Sequence, residues 1–503
     1  MRSEMATVHV SRRRVSPRKI VFFLCTVLPC VYLVERLVIE QRTSTQRSII
    51  EAMSPPIEAD SPESRIYEIL DQITATREQL SARYDELGIN DDMLERAILG
   101  RKYAQTLERL KNILTDVIFN GRTFRIGILG GSISAGAYLA NIDQMYANIY
   151  ARLLRNVFGT PVEVHNGAVG ACGSNYFSYC APVHLDVENM DLILTEFAVN
   201  DNLDTAVAHE RLVRNVLSSP NRPQLLYVHF MLGKMMRELG RCFNAEAFVL
   251  TPMSRHYNIP SISFRKAVCP ALNSSSDKIF TPGDNYNHPG EQGHELTALI
   301  LFYFTTNFIQ NICGRLLHQM RISNSFSQAD SLPENNLNDM EVLPSPLFQD
   351  THDVKFECRT TLQPRLSEDS YLTPVYNRGW EVYYPDMPKT RNDVATSWYT
   401  AAANKTIAFD IDMQRFGSTA VCNVTLLTMT CQSGGKARAF LSKHRSKQVI
   451  ANTQDIYRKM RLIHVIENIP ADDNTLVVKT TEDNPFHLVG VATSCDNTIR
   501  LLP

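Results

Sequence analysis

GILGGSISAGAY, residues 127–138, places two glycines and two hydroxyl residues directly behind a run fit for a buried strand. Three chemistries use such a turn: a phosphate cradle, a dinucleotide site, and the presentation of a nucleophilic serine. A P-loop needs lysine after the second glycine of GxxxxG. The spacing from Gly131 to Gly136 is right, but Ala137 stands in the lysine's place. No GxGxxG register fits either. The remaining reading makes Ser132 a nucleophile, with the glycines expected to let the chain turn sharply. Ser134 is expected to cap or steady that turn. Such a serine needs partners at the ends of other strands, because an open parallel sheet presents its ligands at the strands' carboxyl ends.

Working outward, residues 119–322 alternate strand-like and helix-like stretches. FRIGIL, VEVHNGA, DLILTEFA, QLLYVHFM and IPSISF are the predicted strands. Between the first two, Met145, Ile149, Leu153 and Val157 recur every fourth residue and mark one face of a helix. This alternation predicts a parallel sheet covered by helices on both faces. The required partners follow in order. NGAVGACGS comes after the second strand, EFAVNDN after the third, and GDNYNHPGEQGH just before the last helix. Singly, each has a structural reading: Ser132 as a helix cap, Asn200 and Asp201 as a turn, His288 as a loop residue. Together, at successive strand ends, they predict a site.

This ordered set resembles the SGNH, or GDSL-like, hydrolase family over some 200 residues. GGSIS matches the first block with Gly131 in place of the usual aspartate, and Gly170 matches the glycine of the second, with Gly173 a close competitor. AVND matches the third block with Ala198 in place of glycine, and NHP matches the histidine block. The resemblance implies a flavodoxin-like three-layer α/β/α domain. It also implies a catalytic Ser132 and His288, and an oxyanion hole built from the N–H of Ser132, the N–H of Gly170 and the side-chain amide of Asn200. The family's acid lies three residues before the histidine, where this chain has Asn285. Asp284, one residue further away, is the expected acid if the loop bulges; otherwise the acid is displaced or missing. No metal or organic cofactor is implied.

The chain has 503 residues, with 44% hydrophobic and 21% charged residues and a formal net charge of −2. That balance gives no reason to expect nucleic acid as a partner. Residues 1–19 form a basic tail that includes Arg12, Arg13, Arg14, Arg18 and Lys19. Residues 20–39 follow as an apolar segment, uncharged from Ile20 to Val34. At about 1.5 Å per residue the uncharged run is short for a bilayer core. A signal anchor is expected, since no small-residue cleavage site follows; a cleaved signal peptide is the alternative. The basic flank is expected to keep the N-terminus cytosolic and send the body into the lumen, as a single-pass type II protein. The short span suits an early secretory membrane, the Golgi or nearby. The sequons at Asn273, Asn404 and Asn423 and nine of the eleven cysteines lie beyond this segment.

Residues 40–118 predict a helical stem, as a stalk or as packing helices. Ile66, Ile69, Ile73, Leu80 and Leu87 hint at a heptad that Thr76 and Arg83 interrupt. The apolar stretch LTALILFYFTTNFIQNI is read as a buried final helix. Residues 323–348 are a polar linker, and residues 349–503 switch to short β-prone runs, predicting a β-sandwich accessory domain. Two disulfides are expected among Cys358, Cys422, Cys431 and Cys495, and at least one free thiol among Cys172, Cys180, Cys242, Cys269 and Cys313. The expected function is a serine esterase or acyltransferase acting on O-acyl, O-acetyl above all, esters of glycans. The alternatives are a lipid or phospholipid ester hydrolase and a catalytically silent glycan-binding protein. The oligomeric state is left open.

Overall fold

A computed structural model describes residues 61–99, 107–234, 238, 242, 244–269, 279–284, 286–323, 343–348, 355–384, 396–417, 419–456, 458–472 and 474–496. The expected anchor at 20–39, the sequon residue Asn273, Asn285 and most of the 323–348 linker lie outside the described residues. The chain divides into residues 1–64 and residues 65–503; the fold below is that of the second unit.

The elements of the first half are α1 (Pro62–Leu87), α2 (Asp91–Ala97), β1 (Ile98–Leu99), α3 (Glu108–Asn120), β2 (Phe124–Gly130), α4 (Tyr146–Phe158), β3 (Val162–Asn166), α5 (Ser174–His184), β4 (Leu192–Glu196), α6 (Ala206–Leu217), β5 (Gln224–His229), α7 (Thr251–His256), β6 (Ser261–Ser263), α8 (Phe264–Val268) and α9 (Glu291–Ser323). The sheet runs β1-β6-β5-β4-β2-β3, with β3, β2, β4, β5 and β6 parallel and β1 antiparallel at the edge. Among the parallel strands this is the doubly wound order 2-1-3-4-5. The chain reverses its direction of travel between β2 and β4, so a crevice opens at their carboxyl ends.

Each face of the sheet has its own core. Ile126, Ile128, Leu192, Leu194 and Ile262 point into one, which α2, α3, α4 and α9 cover; Leu129, Ile193, Leu225 and Tyr227 point into the other, beneath α5 and α6. The helices read as a stem are packing helices here. Ile66, Ile69 and Ile73 are buried, and of the heptad's interruptions Thr76 is buried with them while Arg83 bonds Glu295 of α9; Arg77, beside Thr76, bonds Thr306 and Asn307 of the same helix. The stretch Glu291–Arg321 is long and apolar enough to cross a membrane, and 78% of its most apolar window is buried in the protein.

The second half is all-antiparallel. β7 (Lys355–Thr360), β9 (Glu381–Tyr383), β10 (Ser397–Thr400), β12 (Val421–Met429), β15 (Met460–Pro470) and β17 (Phe486–Asp496) form one sheet. β8 (Tyr376–Arg378), β11 (Thr406–Ile411), β13 (Lys436–Leu441), β14 (Gln448–Asn452) and β16 (Asn474–Thr480) form the other. Phe409 and Val478 of one sheet meet Val424 and Leu488 of the other in a common core, giving the β-sandwich its two layers. The outer face of the first sheet docks on the α/β domain. Leu362, Leu427, Met429, Met460, Val489 and Ala492 complete the core beneath α5 and α6.

That docking corrects the disulfide expectation. Cys358 pairs with Cys180 of α5 rather than with a cysteine of its own domain, and Cys422–Cys495 is the one bridge between two cysteines of the last domain. Cys242–Cys269 is the third, and among the described residues Cys172, Cys313 and Cys431 form no disulfide. β7 lies against α5, so Cys358 finds its partner across the domain boundary. Asn404 is exposed, whereas Asn423 is half-buried in β12, its carboxamide oxygen taking the Asn468 N–H at 2.8 Å.

Candidate active site

The polypeptide leaves β2 at Gly130 and closes a helical turn. The N–H of Ala135 reaches the carbonyl of Gly131, and that of Ala137 reaches Ser132, at 3.0 and 2.9 Å. The reason for the paired glycines is space, not the sharp turn expected of them. Positive φ occurs later, at Gly136 and Tyr138. A Cβ on Gly131 would stand 2.3 Å from Oδ1 of Asn200. The lack of a side chain at this position is therefore what leaves room for the Asn200 carboxamide.

Ser132 Oγ lies 2.7 Å from Nε2 of His288. On the other side of the ring, Nδ1 makes a short hydrogen bond with the carboxylate of Asp284, whose side chain is buried. Asp284 also accepts the N–H groups of Asn287 and His288, both at 3.1 Å. The loop accommodates its four-residue spacing by a bulge: Tyr286 takes a left-handed conformation, φ +63°. Asp284 thereby reaches an imidazole that the spacing alone would have assigned to Asn285.

Asn200 and Asp201 follow β4, and their N–H groups both reach back to the carbonyl of Phe197. They part in role. Asn200 lies over Gly131, while Asp201 turns inward, accepting the N–H of Ser174 at 2.9 Å and meeting Nδ1 of His209 at 3.1 Å. His209 continues to the Tyr227 hydroxyl at 2.9 Å. The ladder of β3 on β2 continues past the strand, with the Val169 N–H on the Gly130 carbonyl at 3.0 Å. That bond brings Gly170 alongside the serine turn. Gly173 is placed differently, at the start of α5, where a Cβ would fall 2.7 Å from Oδ1 of Asp201.

Behind the turn lies a buried polar knot that no sequence pattern signals. Ser134, expected to steady the turn, is fully buried, with its hydroxyl 2.8 Å from that of Tyr146 and 3.3 Å from Oε2 of Glu196. Burial raises the Glu196 carboxyl to about 8, outweighing the Ser134 hydroxyl and nearby N–H groups. His294 stacks on Tyr146 and is held near 3, by burial first and by the neighbouring His288 second. In front, Tyr138 sets an exposed ring 5.0 Å from that of His288, from a left-handed backbone conformation that a β-carbon disfavours. Among the described residues, no group of three or more His, Cys, Asp or Glu is arranged to hold a metal ion.

Beside Asn200, Ala171 and Gly173 a cleft of about 530 Å³ opens between the two domains, its far wall formed by Arg458–Leu462 and His464. The Met460 N–H donates to the Ala171 carbonyl at 3.1 Å. The β-sandwich is thus bonded to the very loop that carries Gly170.

No protein family's profile matches the chain, and none of the curated proteins does. Solved structures do. A two-domain esterase active on acetylated mannans, co-crystallised with mannopentaose, aligns at 20% identity with a TM-score of 0.54, over 80% of this chain and 99% of that one. A second crystal structure of a two-domain esterase active on acetylated mannans gives 20%, 0.53, 80% and 98%. The chain shares their two-domain fold, in this protein an α/β domain joined to a β-rich domain.

Proposed function

We propose that this chain is a serine carboxylic ester hydrolase, or acyltransferase, acting on O-acetyl esters of glycans in the secretory pathway. The observation that carries the reading is the unbroken hydrogen-bonded line from Ser132 through His288 to Asp284, beside Asn200 at the sheet's switch point. Two likenesses support it: the motif set, and a fold shared with esterases described as active on acetylated mannans.

In this mechanism Oγ of Ser132 attacks the ester carbonyl as Nε2 of His288 takes its proton. Asp284 holds the Nδ1–H and stabilises the imidazolium. The N–H groups of Ser132 and Gly170 and the amide of Asn200 meet the charge that develops on the carbonyl oxygen. Collapse breaks the ester C–O bond, and His288 returns the proton to the departing sugar hydroxyl. Ser132 is left acetylated. Water, or a second sugar hydroxyl, then repeats the sequence in reverse, releasing acetate or a transferred ester.

The three disulfides fit an oxidising compartment, and the basic-flanked run at 20–39 fits a type II anchor in a Golgi or neighbouring membrane. The test is hydrolysis of p-nitrophenyl acetate and of O-acetylated mannooligosaccharide by the lumenal chain. Activity abolished by Ser132→Ala and by His288→Ala, with circular dichroism unchanged, is the expected result. Turnover that survives Ser132→Ala rejects the assignment.

A further inference from the structure

The cleft beside Asn200 is lined by four cationic side chains: Arg211 of α6, and Arg458, Lys459 and Arg461 at the edge of the β-sandwich. Asp204 is the one carboxylate of its lining, and Asp455 behind the wall holds Lys459 at 2.9 Å and approaches Arg461 at 3.8 Å. Among the described residues, no carboxylate pairs with Arg211 or Arg458. The chain as a whole carries −2, so this concentration of positive charge is local. It lies next to the groups placed at the oxyanion.

Arg211 is also held in advance. Its guanidinium lies over the ring of Tyr179, 5.2 Å from the centroid, and its buried Nε has no hydrogen-bond partner. This stacking also decides between ligand classes. A neutral sugar is gripped by an open aromatic face, and Tyr179, the one Phe, Tyr or Trp ring of the lining, is covered by Arg211. Guanidinium groups with no carboxylate partner in the protein are suited instead to carboxylate or sulfate oxygens, which they bind through charge-assisted paired hydrogen bonds.

From this we infer that the interdomain cleft is a subsite for an anionic sugar, so that the acylated glycan taken by the Ser132 site carries a carboxylate or sulfate next to its ester. The inference rests on the esterase reading for the word acylated. The anion subsite itself stands on the cleft. It gives the β-sandwich a direct part in substrate selection, because Arg458, Lys459 and Arg461 belong to it.

The test measures calorimetric binding to the Ser132→Ala chain of three probes of equal length: O-acetylated oligogalacturonate, a sulfated oligosaccharide and O-acetylated mannooligosaccharide. Both or one of the anionic probes should bind at least about tenfold more tightly than the neutral one, as charge-assisted bonds of this kind require. Raising the salt from low to high concentration should erode that preference. Whichever anionic probe binds tighter identifies carboxylate or sulfate as the group read. Arg211→Gln and Arg458→Gln should each weaken the anionic probe about tenfold. Equal affinity for neutral and anionic probes, or an affinity indifferent to salt, overturns the subsite, and both outcomes are read with every arginine of the cleft in place. Ser132-dependent acetate release from mannooligosaccharide without any preference for anionic substrates would reject the subsite and leave the esterase reading standing. Salt-sensitive anion binding without Ser132-dependent acetate release would do the reverse.

Discussion

At the scale of single residues, Gly131 and Asn200 form one unit. The glycine is required by the asparagine, because any β-carbon at 131 collides with the carboxamide at 2.3 Å. Gly131→Ala should therefore displace the Asn200 carboxamide, the proposed oxyanion donor, without touching Ser132. Steady-state kinetics on p-nitrophenyl acetate should show kcat down by about 10²–10³, the cost of one such donor, with KM little changed. A variant with kcat within a factor of a few of the parent would remove Asn200 from the oxyanion hole. Glu196 offers a second test, through pH. Its carboxyl is raised from the ordinary range to about 8 by burial, so the folded state holds a proton that the unfolded chain gives up. Its contribution to stability is complete below about pH 4.5 and is lost as pH rises through about 8, by up to a few kcal/mol. Glu196→Gln has no proton to lose. Urea denaturation of the two proteins across that window should show the parent's stability falling with pH more steeply than the variant's. Parallel profiles would mean that Glu196 is ionised in the folded state.

At the scale of elements, one carboxylate ties three of them together. Asp201 leaves the end of β4, accepts the first N–H of α5 through Ser174, and meets His209 of α6. Asp201→Ala leaves that N–H and the imidazole buried without their acceptor, a loss of about 3 kcal/mol, and it loosens the loop that aims Asn200. Denaturation should register the lowered stability, and Asp201→Asn, which keeps an acceptor oxygen for Ser174, should recover part of it. The AVND stretch marked this loop in the sequence because a mostly apolar strand-like run precedes it and its last residues are polar. The division of labour within it was not legible, since Asn200 and Asp201 differ in what surrounds them and not in their neighbours along the chain. Ser132 and His288 could be read in the same way, from chemistry at strand ends. Tyr138, Glu196 and His294 could not: their roles come from a left-handed backbone, a buried knot and a ring contact, and composition encodes none of these. The two-residue strand β1 escaped for a related reason, because Ile98 and Leu99 have no periodicity to show and become a strand only by pairing with β6.

At the scale of the molecule, the change from helix–strand alternation to short β-runs announced two domains, but nothing in either half announced how they meet. The docked face is apolar on both sides, as any core is, and the cysteine that crosses it looks like its neighbours until the faces are brought together. Cys180–Cys358 closes a loop of 178 residues and links α5, which begins beside the Gly170 loop, to β7. The same interface carries the Met460–Ala171 hydrogen bond, so the bridge and the Gly170 loop are mechanically joined. Replacing both cysteines by serine frees the unfolded chain of that constraint and should lower stability by about 2–5 kcal/mol. Calorimetry should then resolve the β-sandwich melting ahead of the α/β domain. Catalysis should respond unequally: kcat/KM on an acetylated oligosaccharide, which spans the cleft, should fall further than on p-nitrophenyl acetate, which needs only the serine and its oxyanion donors. Equal losses on the two substrates would mean that the β-sandwich holds the fold together without taking part in the reading of the glycan.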